Sequence, residues 1–555
     1  MGQVRLGRAA SRTRDSTIDD SVCPSRPANW GTRGPTFARA DKQRPGAVHP
    51  RRRRCRPYNC PMKTNLAPIY RVAEMRAIEA ENDHLPLMER AGRAAADVAR
   101  SLAGDRGGRI VILAGPGNNG GDALVVARWL RTWYFDLAVV FIGDAAKLPP
   151  PAAAAHAAFV EAGGSTVTLP ATERPALIVD GLFGVGLTRS LDDDYAALVH
   201  WANDSGAPIL ALDVPTGLNA DTGVAAGPTI HAVATATFIC LKPGLLTGDG
   251  PDHCGEVSVH SLDIAAASAA PGHRLDWPVL AQTLPVVLGR RMRNVNKGTF
   301  GTLGILGGTE GMGGALILAG RAALRTGAGK VWLGFLMADP PKLDTSMPEL
   351  MLRHAGPVLD ARPDALVVGP GLGTSDAARS LLQRALALPV PVALDADALN
   401  LIARDPALLA TTKSRSAPTL ATPHPGEAAR VLATDIENVQ NDRMKAAHEL
   451  AQRLSANVVL KGVGSVLAHP DGTWDINASG GPALATAGSG DVLSGLLGAL
   501  LAQGLDAKTA LRYAVCLHGA TADALVAQGI GPLGLTASEL PDAARGLLNS
   551  AGRQR

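Results

Sequence analysis

From about residue 63 the chain alternates short, wholly apolar runs with longer amphipathic stretches. Runs of strand type fall at 109–114, 137–142, 176–180, 208–213 and 233–239, then at 301–306, 330–335, 365–369, 390–395, 419–422 and 457–461. Each is short for a helix and apolar on both faces, which predicts strands of a parallel sheet covered on both sides. The stretches between them, such as 123–133, have helical period. This alternation is that of doubly wound α/β domains. An Ala/Pro-rich stretch at 265–272 separates the two series, so the spacing predicts one domain over 62–273 and another over 274–555. Before residue 62 apolar periodicity is almost absent.

A length of 555 residues exceeds what one hydrophobic core organises, which agrees with two domains. Apolar residues at 46% and charged residues at 19% exclude general disorder. Aromatics at 4% suit a stacking platform for single-stranded nucleic acid poorly. The formal charge of +4 conceals a split. Of 54 Lys/Arg and 50 Asp/Glu, 14 and 4 precede residue 62, leaving 40 basic and 46 acidic residues after it. The body is therefore mildly acidic and has no basic footprint for nucleic acid.

Residues 1–61, with Arg51 to Arg54 in a row, read as a disordered basic extension or as an over-extended reading frame starting properly at Met62. A nucleic-acid arm fits less well. So does a transit peptide, because Asp15, Asp19, Asp20, Asp41 and the prolines oppose an amphipathic helix. No apolar segment there resembles a secretory leader. Cys23, Cys55, Cys60, Cys240, Cys254 and Cys516 form no CxxC pair, as expected in a reducing cytosol. No apolar run reaches the roughly 18–20 residues of a membrane helix. A cytoplasmic protein without membrane or nucleic-acid partners is expected.

In the first half, a buried strand runs into Gly115-Pro-Gly-Asn-Asn-Gly-Gly-Asp122 and then a helix. A Gly-rich turn before a helix N-terminus is an anion site. The spacing is neither GxGxxG nor a P-loop. Asn118 and Asn119 add amides that read a carboxamide or give oxygen to an ion. Asp180 and Asp213 end two later strands, at the crevice where such sheets bind ligands. Either alone is as well explained as a helix cap; two beside an Asn-rich loop point to chemistry.

GPGNNGGD (115–122), DGLFGVGLTR (180–189), DVPTG (213–217), KPGLLTGDG (242–250) and LMERAG (87–92) occur in order. Over about 69–262 the chain thus resembles the NAD(P)H-hydrate epimerase family, which implies a Rossmann-like domain. The resemblance implies that Asn118, Asn119, Gly120, Gly121 and Asp122, with Gly184, Val185, Gly186, Leu187, Thr188, Arg189 and Ser190, hold the hydrated cofactor. It implies that Asn119, Asp180 and Thr216 give oxygen ligands to potassium, a set without Cys or His that suits a hard cation. Asp213 then contacts the hydrated nicotinamide and is the candidate acid/base as the hydroxyl-bearing carbon inverts. Thr216 stands where the family often has Ser, and Arg90 where many members have Asn.

The second half carries Gly488-Ser-Gly-Asp491 entering an apolar helix expected from Val492. Gly488, Gly490 and the helix start present N–H donors suited to a phosphoryl group in transfer. Asp491 at that mouth can take a proton from an attacking hydroxyl, or simply cap the helix. Upstream lie GPGLG (369–373), DAD (395–397), TPHPGE (422–427) and LKGVGS (460–465), each at a strand end. With Lys297-Gly298, Gly307-Gly-Thr309, Gly313-Gly-Ala315 and RTGAG (325–329), this set resembles the ADP/ATP-dependent NAD(P)H-hydrate dehydratase family of the ribokinase-like superfamily, over about 284–547. The resemblance implies that Lys461, Gly462, Val463, Gly464, Ser465 and Gly490 bind the adenine nucleotide. It also implies that Ala315, Gly371, His424 and Asp491 line the hydrate site, and that Mg2+ bridges the phosphates of the ADP co-substrate. Asn296 replaces a frequent His, and Ser489 a frequent Thr.

Together the halves imply repair of hydrated NADH and NADPH: epimerisation of R and S hydrates, then ADP-dependent dehydration of the S hydrate, releasing AMP and phosphate. ADP against ATP, and a homo-oligomeric assembly, stay open. The alternative is a vitamin or sugar kinase fused to a non-catalytic Rossmann-like module; TPHPGE with GPGLG argues for the dehydratase.

Overall fold

A computed structural model describes residues 66–553 apart from 105–106, 168–173, 188–190, 192, 265–269 and 290. The strands, in chain order, are β1 (Ala67–Ile69), β2 (Ile110–Ala114), β3 (Leu137–Phe141), β4 (Leu177–Gly181), β5 (Ile209–Leu212), β6 (Ala234–Phe238), β7 (Glu256–His260) and β8 (Gly272–Leu275). There follow β9 (Thr302–Gly307), β10 (Lys330–Phe335), β11 (Met351–His354), β12 (Ala365–Val368), β13 (Val392–Leu394), β14 (Thr419–Ala421), β15 (Asn457–Leu460), β16 (Ser465–Ala468) and β17 (Trp474–Asn477).

Two sheets result. A six-stranded sheet has the order β3-β2-β4-β5-β6-β7 and is parallel throughout. An eleven-stranded sheet has the order β1-β8-β17-β16-β15-β14-β13-β12-β9-β10-β11. It is parallel from β15 to β11, and β15–β16–β17 form an antiparallel ribbon. The expected two α/β assemblies are both present. The central strands lie where the apolar runs do. The strands that periodicity does not announce are short, polar or at sheet edges: β1 (API), β7 (EVSVH), β8 (GHRL), β11 (MLRH), β16 (SVLA) and β17 (WDIN).

Each sheet has one switch of winding direction. In the first, the chain leaves β2 for β3 and returns to β4 on the other side of β2. In the second it leaves β9 for β10 and β11 and returns to β12. Such switch points open a crevice at the carboxyl ends of the strands.

The expected boundary at 273/274 falls inside β8, which pairs with β17 in the second sheet. β1, from the start of the first half, pairs antiparallel with β8 there. One buried cluster joins Ile69, Val214, Leu218, Leu241, Leu245 and Leu246 of the first half to Leu394, Ala421, Leu460 and Ile476 of the second. Among the described residues no helix is long and apolar enough to cross a membrane.

Candidate active sites

The first switch point opens a cavity of about 970 Å3. Its wall includes Asn118, Asn119, Asp122, Gly184, Val185, Gly186 and Asp213, joined by Glu79 from the helix Val72–Glu81. The helix Asn118–Thr132 starts five residues before the periodicity suggests. Its first turn is polar because it faces this cavity rather than the core. Gly120 and Gly121 serve packing instead: a Cβ on Gly120 would lie 1.9 Å from Gly115 O, and one on Gly121 2.7 Å from Met88 Sδ. Leu187 closes a turn by donating its N–H to Gly184 O at 3.2 Å. Thr188, Arg189 and Ser190 lie outside the described residues.

Asp213 occupies left-handed backbone (φ 62°), a strained conformation that concentrates at functional sites. It is not a helix cap. Its Oδ1 accepts from Lys242 Nζ and, at 3.3 Å, from Thr237 Oγ1. Lys242 is fully buried, and Nζ also donates to Thr237 Oγ1 and Phe238 O, both at 2.8 Å. Burial, then the Asp213 and Glu79 carboxylates, push the Asp122 carboxyl well above its usual range. Burial and Asp213 raise Glu79 as well. Glu79, Asp122 and Asp213 thus bring three carboxyls together, and burial with this crowding raises the first two.

A Cβ on Gly184 would come within 3.2 Å of Asn119 Oδ1 and 3.4 Å of Asp213 Oδ2, so glycine keeps open the space both face. Both polar side-chain atoms of Asn119 are buried without a hydrogen-bond partner among the described residues. Such atoms call for a ligand. Asp180, fully buried, accepts from Thr216 N at 2.9 Å and Thr216 Oγ1 at 2.7 Å. Burial lifts its carboxyl to about 6. Thr216 is thus tied to Asp180, and the first turn of the Asn119 helix lies beside the end of the Asp180 strand, where a Cβ on Gly181 would meet Asn119 O at 2.9 Å. Orphaned amide, buried carboxylate and hydroxyl fit a hard monovalent cation.

At the second switch point, Thr309 N donates to Gly371 O at 2.8 Å. Ala315 lies in the first turn of the helix Gly313–Arg325. The helix Ser489–Ala502 begins three residues before the apolar run, with Gly488 (φ 87°) as its N-cap. Asp491 is therefore in the first turn and is not the cap. A Cβ on Gly488 would touch Leu318 of the neighbouring helix at 2.5 Å, which brings the two helix starts together. Burial, then Asp395, raises the Asp491 carboxyl to about 6.

Lys461 N bonds Pro423 O, joining the 461–465 loop to that of His424. Lys461 Nζ lies 3.0 Å from Asp395 Oδ1 and 3.9 Å from Glu427 Oε2, and would be 3.5 Å from a Cβ on Gly490. Burial opposes its charge, but Asp395 and Glu427 outweigh it and raise its pKa. His424 caps the helix Pro425–Leu432, its Nδ1 accepting from Gly426 N at 3.0 Å. That places the ring proton on Nε2, 3.2 Å from Glu427 Oε1. Behind the glycine turn, burial lowers His518 to about 4.

Two family models match, one described as YjeF-related protein N-terminus over residues 84–244, the other as NAD(P)H-hydrate dehydratase over 303–544. The bifunctional NAD(P)H-hydrate repair enzyme Nnr of Coxiella burnetii is 36% identical over 86% of this chain and 98% of its own length. That of Escherichia coli is 39% identical over 82% of this chain and 87% of its own. The chain belongs to the bifunctional NAD(P)H-hydrate repair enzyme family. A crystal structure of the ADP/ATP-dependent NAD(P)H-hydrate dehydratase of Bacillus subtilis, co-crystallised with ATP and Mg2+, aligns with TM-score 0.42 and 31% identity over 48% of this chain and 94% of that one. The repair-enzyme match runs through both halves, which disfavours a vitamin or sugar kinase joined to an inert module.

Within this repair-enzyme family, the residues unusual in the sequence have ordinary duties here. Arg90 donates to Leu262 O at 2.7 Å, tying its helix to the cavity rim. Asn296 caps the short helix Lys297–Phe300. Ser489 Oγ donates to Leu484 O at 2.8 Å. Sequence reasoning assigned no role to Glu79, Lys242, Glu427 or Ser494, whose Oγ donates to Asp395 Oδ2 at 2.8 Å. Lys242 and Glu427 sit inside recognised motifs, where a charge amid apolar or proline neighbours was the available signal.

Proposed function

We propose that the chain repairs hydrated NADH and NADPH, interconverting the R and S hydrates in the first cavity and dehydrating the S hydrate at Asp491 with ADP as phosphoryl donor. What supports the reading is that one chain of this family holds both acid-bearing switch points intact.

In the first cavity, the Asn118–Asp122 turn and Gly184–Gly186 cradle the dinucleotide. Asp213, oriented by Lys242, exchanges a proton with the hydroxyl at the inverting carbon. Asp122 and Glu79, whose carboxyls are raised by burial and by neighbouring carboxylates, lie beside it. A potassium ion would be held by Asn119, Asp180 and Thr216, where it would supply a fixed positive charge to the dinucleotide.

In the second site, Asp491 takes the proton of the ring hydroxyl as its oxygen attacks the terminal phosphoryl of ADP, and AMP leaves. Gly488–Gly490 and the helix start stabilise the charge that builds. Loss of the phosphate with the neighbouring ring proton then restores the dihydropyridine. Lys461, steered by Asp395 and Glu427, faces the phosphates. Mg2+ would arrive with them; among the described residues no cluster of three His, Cys, Asp or Glu could hold it alone.

Incubation with chemically hydrated NADH as mixed epimers, plus ADP or ATP, tests the reading. Dihydropyridine absorbance returns for both epimers. If neither epimer is consumed with either nucleotide, the proposal fails.

A further inference from the structure

The loop 461–465 is clasped from the other half of the chain. A Cβ on Gly464 would lie 1.8 Å from Leu246 O and 2.7 Å from Thr247 Cα. The buried Thr247 Oγ1 is 2.8 Å from Gly464 O and 3.0 Å from Val463 O, and it accepts from Arg443 Nε at 3.0 Å. Arg443, only 2% exposed, runs beneath the same loop. It donates to Leu460 O and Lys461 O at 3.2 Å and to Gln440 Oε1 at 2.6 Å, and a Cβ on Gly462 would be 2.7 Å from its guanidinium. Every one of these acceptors is neutral, and among the described residues no carboxylate pairs with Arg443. A buried cation left with neutral partners is costly unless an anion comes to it. The loop it supports is the one read above as nucleotide-binding.

We propose that Thr247, supplied by the first half, and Arg443 are positioning residues of the nucleotide loop, so that the dehydratase site is completed across the seam. The proposal rests on the reading of 461–465 as that loop. The threonine hydroxyl has one proton and two carbonyls within reach, and its lone pair takes the arginine Nε–H. It therefore fixes both the height of the loop and the position of the charge beneath it. The segment from Lys242 to Thr247 is buried throughout, and Lys242 at its other end holds Asp213. This segment thus touches one residue of the first site and the loop of the second.

The test is steady-state dehydration of hydrated NADH by full-length Thr247→Val and Thr247→Ser. Losing the hydroxyl is expected to raise the KM for ADP about three- to tenfold, the equivalent of one neutral hydrogen bond. The kcat at saturating ADP holds, and Thr247→Ser restores the KM. Should Thr247→Val not fold, Arg443→Lys, which keeps the charge but loses the Nε contact, is read the same way. An unchanged KM in the folded variant, or no rescue by serine, overturns the proposal. Photolabelling with 8-azido-ADP separates its failure from that of the parent reading. Label on the 461–465 peptide with unchanged KM sinks only the positioning role. Label elsewhere sinks both.

Discussion

At the residue scale, Asp491 and Asp213 are the proposed acids of the two sites. Because burial and Asp395 raise Asp491 to about 6, its base form is full above that value and disappears as pH falls through it. The kcat/KM of dehydration should fall tenfold per pH unit below about 6 and level off above. A profile flat down to pH 5 would remove Asp491 as the base. Asp491→Ala should abolish dehydration and spare epimerisation; Asp213→Ala should do the converse, read by the rate at which the epimers equilibrate. Both acids stand out in the sequence beside glycine turns, Asp213 just after a strand and Asp491 just before an apolar helix. Their partners were not. Lys242 lies 29 residues from Asp213, and Lys461 lies 66 from Asp395. Only the sheet order brings such pairs together.

At the scale of elements, two features govern stability. Gly495, in the helix Ser489–Ala502, passes so close to the helix Gly313–Arg325 that a Cβ would lie 2.1 Å from Ala319 O. Glycine inside an exposed helix normally gains about 1 kcal/mol on change to alanine. Here the sign reverses, and Gly495→Ala should cost roughly 1–3 kcal/mol by overpacking, measured by denaturant unfolding. The second feature ties β17 to its surroundings. Asp475 is buried, with Arg512 at 2.6 and 2.8 Å and His469 at 3.2 Å. Burial opposes its charge, but His273, His469 and Arg512 prevail and hold it at about 2, below the ordinary 3.8. Its folded pKa being depressed, the stability it contributes is complete above about pH 4 and is lost as pH falls towards 2. The linkage amounts to roughly 2 kcal/mol. Asp475→Asn should flatten that limb of the stability-against-pH curve. The helix starts at Asn118 and Ser489 lie a few residues before the expected ones for one reason: their first turns are polar and glycine-rich, and such a composition mimics a loop.

At the scale of the whole molecule, the two halves are legible as separate series of strands, yet they are built as one body. β1 is three residues, Ala-Pro-Ile, with no period to read, and its partner β8 reads as linker. Their pairing depends on contacts some 200 residues apart, which no local pattern records. Expressed as fragments 62–273 and 274–555, the halves should be poorly soluble alone and recover together, as judged by co-purification; two monodisperse, active fragments would contradict this.

The placement of β1 reaches beyond folding. The helix Val72–Glu81 that follows it carries Glu79 into the first cavity, while β1 itself edges the far sheet. Transplanting this epimerase module onto a foreign kinase-like partner would therefore strand its leading segment without a docking edge. Any successful graft must bring a matching acceptor strand.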